Sequence, residues 1–254
     1  MSCVISFFFM ILLPQFGGGG NLTKDIFLLG GESNMVGQGG VFNGKWDVYQ
    51  PPEVRPNAKI LRLNAMGKWE VAAEPLHAGI DIEGSWGVGP GIAFAHELLA
   101  TGSGFGVIGF VPCARTNSRI VNWQRGKFFY KELTRRANES LQEGGTIRAL
   151  LWYQGESDTI FQEDADGYKE NTEKFFKDLH SDLNIPPLLI IQVAIASGKG
   201  NFTDRIRNDQ LEIKLPPVKL IDAKGLPLGR DRQHLTTDAQ VQLGQKLAHA
   251  FIGS

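Results

Sequence analysis

Cysteine is scarce: the chain of 254 residues holds two, Cys3 and Cys113. Two thiols so placed cannot form a zinc-finger-type cluster. If a leader carrying Cys3 is removed, Cys113 stands alone and no internal disulfide forms; a domain of this size needs none. An excess of charge is also lacking. With 26 Lys and Arg against 27 Asp and Glu, the formal net charge is −1. That argues against nucleic acid or an anionic membrane surface as a partner, and short basic clusters such as Arg135-Arg136 read as solvated helix faces. No internal repeat or long linker divides the chain, so 21–254 reads as one domain with a substantial core.

The apolar run 4–13, with Phe7, Phe8 and Phe9 in succession, is too short to cross a bilayer as a helix. Followed by Pro14 and Gly17 to Gly20, it suits the core of a signal peptide, which makes 1–20 a leader and the protein secreted. No positive charge precedes the run and no Ala-x-Ala site follows. The competing readings are a buried strand or a poorly defined start, and without a working leader the protein stays in the cytoplasm. Three acceptor sequons, at Asn21, Asn138 and Asn201, support secretion.

What is present is a rhythm. Apolar runs at 26–29, 60–63, 106–111, 149–153, 188–193 and 218–221 alternate with helical patterns at 91–100, 130–143, 165–183, 204–215 and 237–252. Several runs are continuously apolar, as in strands buried on both faces of a parallel sheet. In the last helix Ala239, Leu243, Leu247 and Phe251 share a face, and Thr237 with Gln240 matches a capping box. The pattern predicts an open α/β/α sandwich with right-handed crossovers. The stretches 37–56 and 70–89 read as long surface loops, suited to building a cleft.

Ligand sites in such sheets form at the carboxyl ends of strands, and polar residues gather there. The first run leads into Gly30-Gly31-Glu32-Ser33-Asn34-Met35, a glycine-rich turn that would expose the Ser33 hydroxyl and aim its N–H at a developing oxyanion. The fourth ends in Gln154-Gly155-Glu156-Ser157-Asp158. The last is followed by Asp231-Arg232-Gln233-His234. Serine, carboxylate and histidine in this order are compatible with a hydrolase triad, and a histidine three residues after an aspartate can have its ring held by that carboxylate. His77, His96, His180 and His249 have no comparable acidic neighbour and read as packing or surface residues. Cys113 reads as a buried residue after a strand, and Asp158 as an acid at a helix N-terminus. Trp46, Trp69, Trp86 and Trp123 fit equally well as sugar-stacking faces or as loop packing.

These three segments resemble the signature blocks of SGNH-type esterases, and more narrowly the sialate O-acetylesterase (SASA) branch with its plant carbohydrate-esterase relatives. Gly87-Val88-Gly89-Pro90-Gly91, Val111-Pro112-Cys113-Ala114 and Ala223-Lys224-Gly225-Leu226-Pro227 are similar to that plant branch. The resemblance runs from about Asp25 to the C-terminus. It implies a three-layer α/β/α sandwich with a mainly parallel five-stranded sheet, no metal or organic cofactor, and removal of acetyl groups from a carbohydrate or other small ester. By the same resemblance Ser33 is the nucleophile, His234 the general base, Asp231 the residue that orients it, and Glu156 a rival for that role. Gln154 occupies the segment of an oxyanion donor.

Two positions depart from the family pattern. Glu32 stands where glutamine is usual; its carboxylate either repels the oxyanion or points into solvent. Arg115-Thr116-Asn117-Ser118 stands where relatives have Gly-Gly-Thr. If that segment needs φ > 0, Thr116 is disfavoured and Asn117 tolerated. Losing one oxyanion donor costs roughly two to three orders of magnitude in rate, so the alternative to an esterase is a catalytically impaired descendant that binds carbohydrate in the same cleft. A lipid-type esterase is a weaker alternative, since no long apolar lid is evident.

Overall fold

Continuous apolar runs become the inner strands of one sheet. A computed structural model describes residues 23–253, except Glu83, Ser85, Ser103 and Pro186. The leader read at 1–20 and the sequon asparagine Asn21 lie outside the described residues. In chain order the elements are β1 (Lys24–Gly31), the single turn α1 (Ser33–Val36), β2 (Val41–Phe42), β3 (Lys45–Trp46), β4 (Ile60–Leu63), β5 (Trp69–Val71), α2 (Gly91–Ala100), β6 (Val107–Pro112), α3 (Phe128–Ser140), β7 (Thr146–Tyr153), α4 (Gln162–Leu183), β8 (Leu189–Ala194), α5 (Thr203–Glu212), β9 (Val218–Asp222) and α6 (Thr237–Ile252).

The large sheet has seven strands in the order β5-β4-β6-β1-β7-β8-β9, which corrects the expected five. All six apolar runs are in it and run parallel. The seventh, β5, is antiparallel to β4. It is three residues long and half-exposed, so it carries no apolar run; local pairing across the 64–68 turn makes it a strand. The two long stretches read as surface loops need correction as well. The first contains the β2–β3 hairpin. In the second Ala72, Glu74, Leu76, His77, Asp81 and Val88 are buried.

Alternate side chains of the strands feed two cores. On one face Phe27 meets Phe94 of α2 at 4.8 Å and Phe251 of α6 at 5.0 Å between ring centroids. On the other, Trp152 meets Phe175 of α4 at 4.7 Å and Trp123 at 5.0 Å. Helices α2 and α6 cross closely at Gly244, where a Cβ would fall against the Pro90 carbonyl and Ala93. The cap of α6 is Thr236, whose Oγ1 accepts from Ala239 N–H at 3.2 Å. Thr237 is therefore the first helical residue, and Gln240 does not close a capping box; its Nε2 donates to Asn34 O at 3.0 Å. No helix among the described residues is long and apolar enough to cross a membrane.

Two buried polar side chains hold the loops at the carboxyl ends of the strands. Arg136 of α3 is 2% exposed and donates to Pro112 O, Asn64 O and Leu63 O at 3.0, 3.1 and 2.6 Å. Glu74 accepts from Leu76 N–H and Gly89 N–H at 2.9 and 3.2 Å; desolvation pushes its carboxyl up to about 8 despite those donors. Arg136→Met removes the donor from two buried carbonyls and one half-buried one, and at about 1–3 kcal/mol for each unsatisfied group a loss of about 3–5 kcal/mol is expected as a lower urea midpoint at unchanged slope. For Glu74 the folded state keeps a proton that the unfolded chain has released between pH 4.5 and 8, so stability falls as pH rises through that window. Glu74→Gln should raise the melting temperature at pH 8 relative to the parent, with little difference at pH 5.

Candidate active site

The first structural requirement is a turn at the end of β1. Pairing of β1 with β7 continues to Gly31↔Tyr153, and Gly31 sits at φ 126°, where a Cβ would fall on the Tyr153 carbonyl. Glycine alone permits so close an approach. The chain then closes into α1, with Met35 and Val36 N–H both donating to Glu32 O. Ser33 is its first residue, so its N–H has no intrahelical carbonyl, and no acceptor for it is present among the described residues. Ser33 is buried at 0% exposure. This corrects the expected exposed hydroxyl: the turn presents Oγ to a histidine rather than to open solvent.

That histidine comes from the loop between β9 and α6. His234 Nε2 lies 2.9 Å from Ser33 Oγ, and Nδ1 lies 2.6 Å from Asp231 Oδ2. The other Asp231 oxygen accepts the N–H of Gln233 and of His234 itself, at 2.9 and 3.0 Å. Desolvation raises the Asp231 carboxyl, but those two N–H groups and the imidazole outweigh it and leave the pKa below the ordinary value. An ionised Asp231 selects Nδ1–H, which leaves the Nε2 lone pair for the serine proton. The loop is fastened to α1 by Leu235 N–H donating to Asn34 Oδ1 at 2.9 Å.

Glu156 is not beside the histidine. It is fully buried, and its Oε1 accepts from Asn34 Nδ2 at 2.7 Å while Oε2 has no partner among the described residues. Desolvation and the charge of Glu32 push its pKa well above the usual carboxylate range. Its link to His234 therefore runs through Asn34 and the backbone of Leu235. Gln154 is not placed as an oxyanion donor: its amide nitrogen is directed at Ser118 O (2.9 Å), Asp158 Oδ2 (2.5 Å) and Glu32 Oε1 (3.4 Å). Two amide hydrogens facing three protein acceptors leave none for a ligand.

Glu32 neither faces solvent nor crowds Ser33. It is 0% exposed and turns away to accept Gly155 N–H and Ser157 N–H at 3.0 Å each and Ser157 Oγ at 2.6 Å, with Lys199 Nζ at 3.5 Å. Asp158 does not serve its own turn. Its carboxylate accepts Ile120 N–H at 3.1 Å, at the start of the 120–123 turn, and desolvation pushes its pKa up to about 8.

Asn117 adopts φ 57° and Thr116 does not, so the left-handed position falls on the residue that tolerates it. Lys199 Nζ donates to Asn117 Oδ1 at 2.6 Å and to Ser157 Oγ at 2.9 Å. Thr116 is anchored by Asp81, whose Oδ2 accepts from Oγ1 at 2.5 Å. Sequence reasoning missed Lys199 and Asp81 because neither lies in a motif; only the fold brings them to 116–117. Two clefts meet at His234. One, of about 500 Å³, is lined by Thr116, Asn117 and Lys199; the other, of about 550 Å³, by the β2–β3 hairpin and residues 229–238.

The remaining candidates lie outside this contact. His77 is buried, its Nε2 accepting Ala114 N–H at 3.3 Å, and desolvation with Arg115 and Arg136 pushes its pKa down to about 3. His96, His180 and His249 lie on helices and pair with Arg55 O, Leu188 O and Glu97. Cys113 is buried, and desolvation raises its thiol. Of the tryptophans, Trp123 is core, Trp69 and Trp86 pack against the core, and Trp46 lines the larger cleft. Among the described residues no three His, Cys, Asp or Glu side chains gather so as to hold a metal ion.

A family model described as carbohydrate esterase, sialic acid-specific acetylesterase (SASA), matches residues 23–253. The Arabidopsis thaliana protein named "Probable carbohydrate esterase At4g34215" is 50% identical over 240 residues, which is 91% of this chain and 91% of that protein. The X-ray structure of that Arabidopsis protein matches with a TM-score of 0.87, covering 91% of this chain and 99% of that one. NanS, at 14% identity, has a TM-score of 0.72 over 91% of this chain and 97% of its own. XAC1771, a carbohydrate acetylesterase from Xanthomonas citri at 20% identity, has 0.62 over 91% and 57%. At those identities the last two show a shared fold. The chain belongs to the SASA family of carbohydrate esterases.

Proposed function

We propose that the protein is a serine esterase that removes acetyl groups from a carbohydrate. The observation that carries this reading is the unbroken contact from Asp231 through His234 to Ser33, 2.6 and 2.9 Å long, at the carboxyl end of the middle strand of the sheet. His234 Nε2 takes the Ser33 proton as Oγ bonds to the acetyl carbonyl carbon. The resulting oxyanion is met by the free N–H of Ser33 and by that of Asn117. Collapse breaks the ester bond, the imidazolium gives its proton to the departing sugar oxygen, and the acetyl group remains on Ser33. Water, deprotonated by the same nitrogen, then releases acetate and restores the serine.

The competing reading, a carbohydrate-binding descendant without turnover, drew on the loss of glycine at 116–117. The left-handed Asn117, held by Lys199, supports the active form instead. Because Ser33 is closed from solvent, the ester has to enter between the loops that line the two clefts. Asp231 rather than Glu156 is the orienting acid, since it alone of the two contacts the ring.

With p-nitrophenyl acetate and acetylated sugars as substrates, Ser33→Ala and His234→Ala should each lower kcat by at least about three orders of magnitude. Asp231→Asn should cost about four orders and Glu156→Gln far less; the reverse ranking would transfer the orienting role to Glu156. Asn117→Val, which disfavours positive φ, should cost about two orders of magnitude in kcat, and Asn117→Gly much less. Equal losses for these two would remove Asn117 from the oxyanion site.

A further inference from the structure

The larger cleft beside His234 has a composition that acetyl transfer does not explain. It lies between the β2–β3 hairpin and the 229–238 loop and holds about 550 Å³, within the range of about 300–1,000 Å³ of small-molecule sites. An acetyl group fills a small part of that. Two of its aromatic side chains stand out into solvent, Phe42 at 45% and Tyr49 at 53% exposure. Arg230 lies over one face of the Phe42 ring at 5.0 Å and leaves the other face open. Tyr49 is reached through Val48, which sits at φ 57°, a conformation that a β-branched residue rarely adopts. The turn is held by Tyr49 N–H donating to Asp47 Oδ1 at 2.9 Å.

The chemistry also fixes a side for each half of the substrate. The departing alkoxide takes its proton from His234 Nε2, while the oxyanion lies toward Asn117. Asn117 lines the smaller cleft and is absent from the larger. His234 and Phe42 line both clefts, so the acyl half lies on the Asn117 side, in the smaller cleft, and the sugar half, leaving from His234, has the larger cleft with Tyr49 to extend into. Aromatic rings beside Lys45, Asp47, Arg230 and Asp238 suit a sugar chain: CH-rich ring faces stack on the aromatics, and hydroxyls find charged hydrogen-bond partners.

We propose that this cleft is a glycan-binding groove for at least one sugar unit beyond the acetylated one, with Phe42 and Tyr49 as its stacking faces. The substrate is then an O-acetylated oligo- or polysaccharide rather than a free acetylated monosaccharide. The proposal rests on the esterase reading for the position of the ester, but the groove can be tested without turnover.

The probes are O-acetylated monosaccharides and tetrasaccharides of xylose, mannose and galacturonic acid. Their affinity is measured by titration calorimetry with the full chain carrying Ser33→Ala, and kcat/KM is measured with the parent. A tetrasaccharide of at least one backbone should bind about tenfold more tightly than its monosaccharide. Tyr49→Ala and Phe42→Ala should each remove most of that advantage, and Tyr49→Phe, which keeps the ring, should retain it. In the parent, the ratio of kcat/KM on the tetrasaccharide to that on p-nitrophenyl acetate should fall in step. A length-dependent, Tyr49-dependent affinity without any turnover would overturn the esterase reading and leave the groove standing. No length advantage on any backbone, or an advantage that survives the Phe42→Ala/Tyr49→Ala double variant with its circular dichroism intact, overturns the groove.

Discussion

One buried carboxylate locks two turns of the site together. Pairing of β1 and β7 ends at Gly31 and Tyr153, and the two chains would be free to diverge there. Glu32 prevents it by collecting two N–H groups and a hydroxyl from the 155–157 turn. A charge taken out of water is costly unless it is hydrogen-bonded and paired; these donors and Lys199 supply both. The position of Ser33, the next residue, follows from that lock. Lys199 also reaches Asn117, so the segment on the oxyanion side is tied to the same charge.

The histidine is placed by a second buried connection. Asn34 accepts from Leu235 N–H with its side-chain oxygen and donates to Glu156 with its nitrogen, while Gln240 of α6 donates to its carbonyl. The loop carrying His234 is thereby held against α1 although 200 residues of chain lie between them. Glu156 is strongly favoured in its protonated form by burial and by the nearby charge of Glu32. A neutral carboxyl there avoids adding an uncompensated charge beside the compensated one of Glu32.

The sheet was legible where the chemistry is continuous. The runs that became β1, β6, β7 and β8 stood out because strands buried on both faces need no polar alternation. The shortest pieces did not: β5 and the β2–β3 hairpin are two or three residues long and owe their form to local pairing. Asp231 and His234 were legible as a pair because three residues of spacing is enough to close the contact. The role of Glu32 was not, since its donors lie more than 120 positions away in sequence. Gln154 shows the opposite failure, in which a motif position suggested an oxyanion donor and tertiary contacts used up its hydrogens.

The proposed chemistry requires a nucleophilic Ser33 although the residue is closed from solvent. The most direct test is covalent: incubate the folded protein with a serine-reactive fluorophosphonate, digest it, and locate the adduct by mass spectrometry. A single adduct on Ser33, lost in His234→Ala, is the expected result. An adduct on another serine, or no adduct on Ser33 in the folded protein, would contradict a catalytic role for the contact between Asp231, His234 and Ser33.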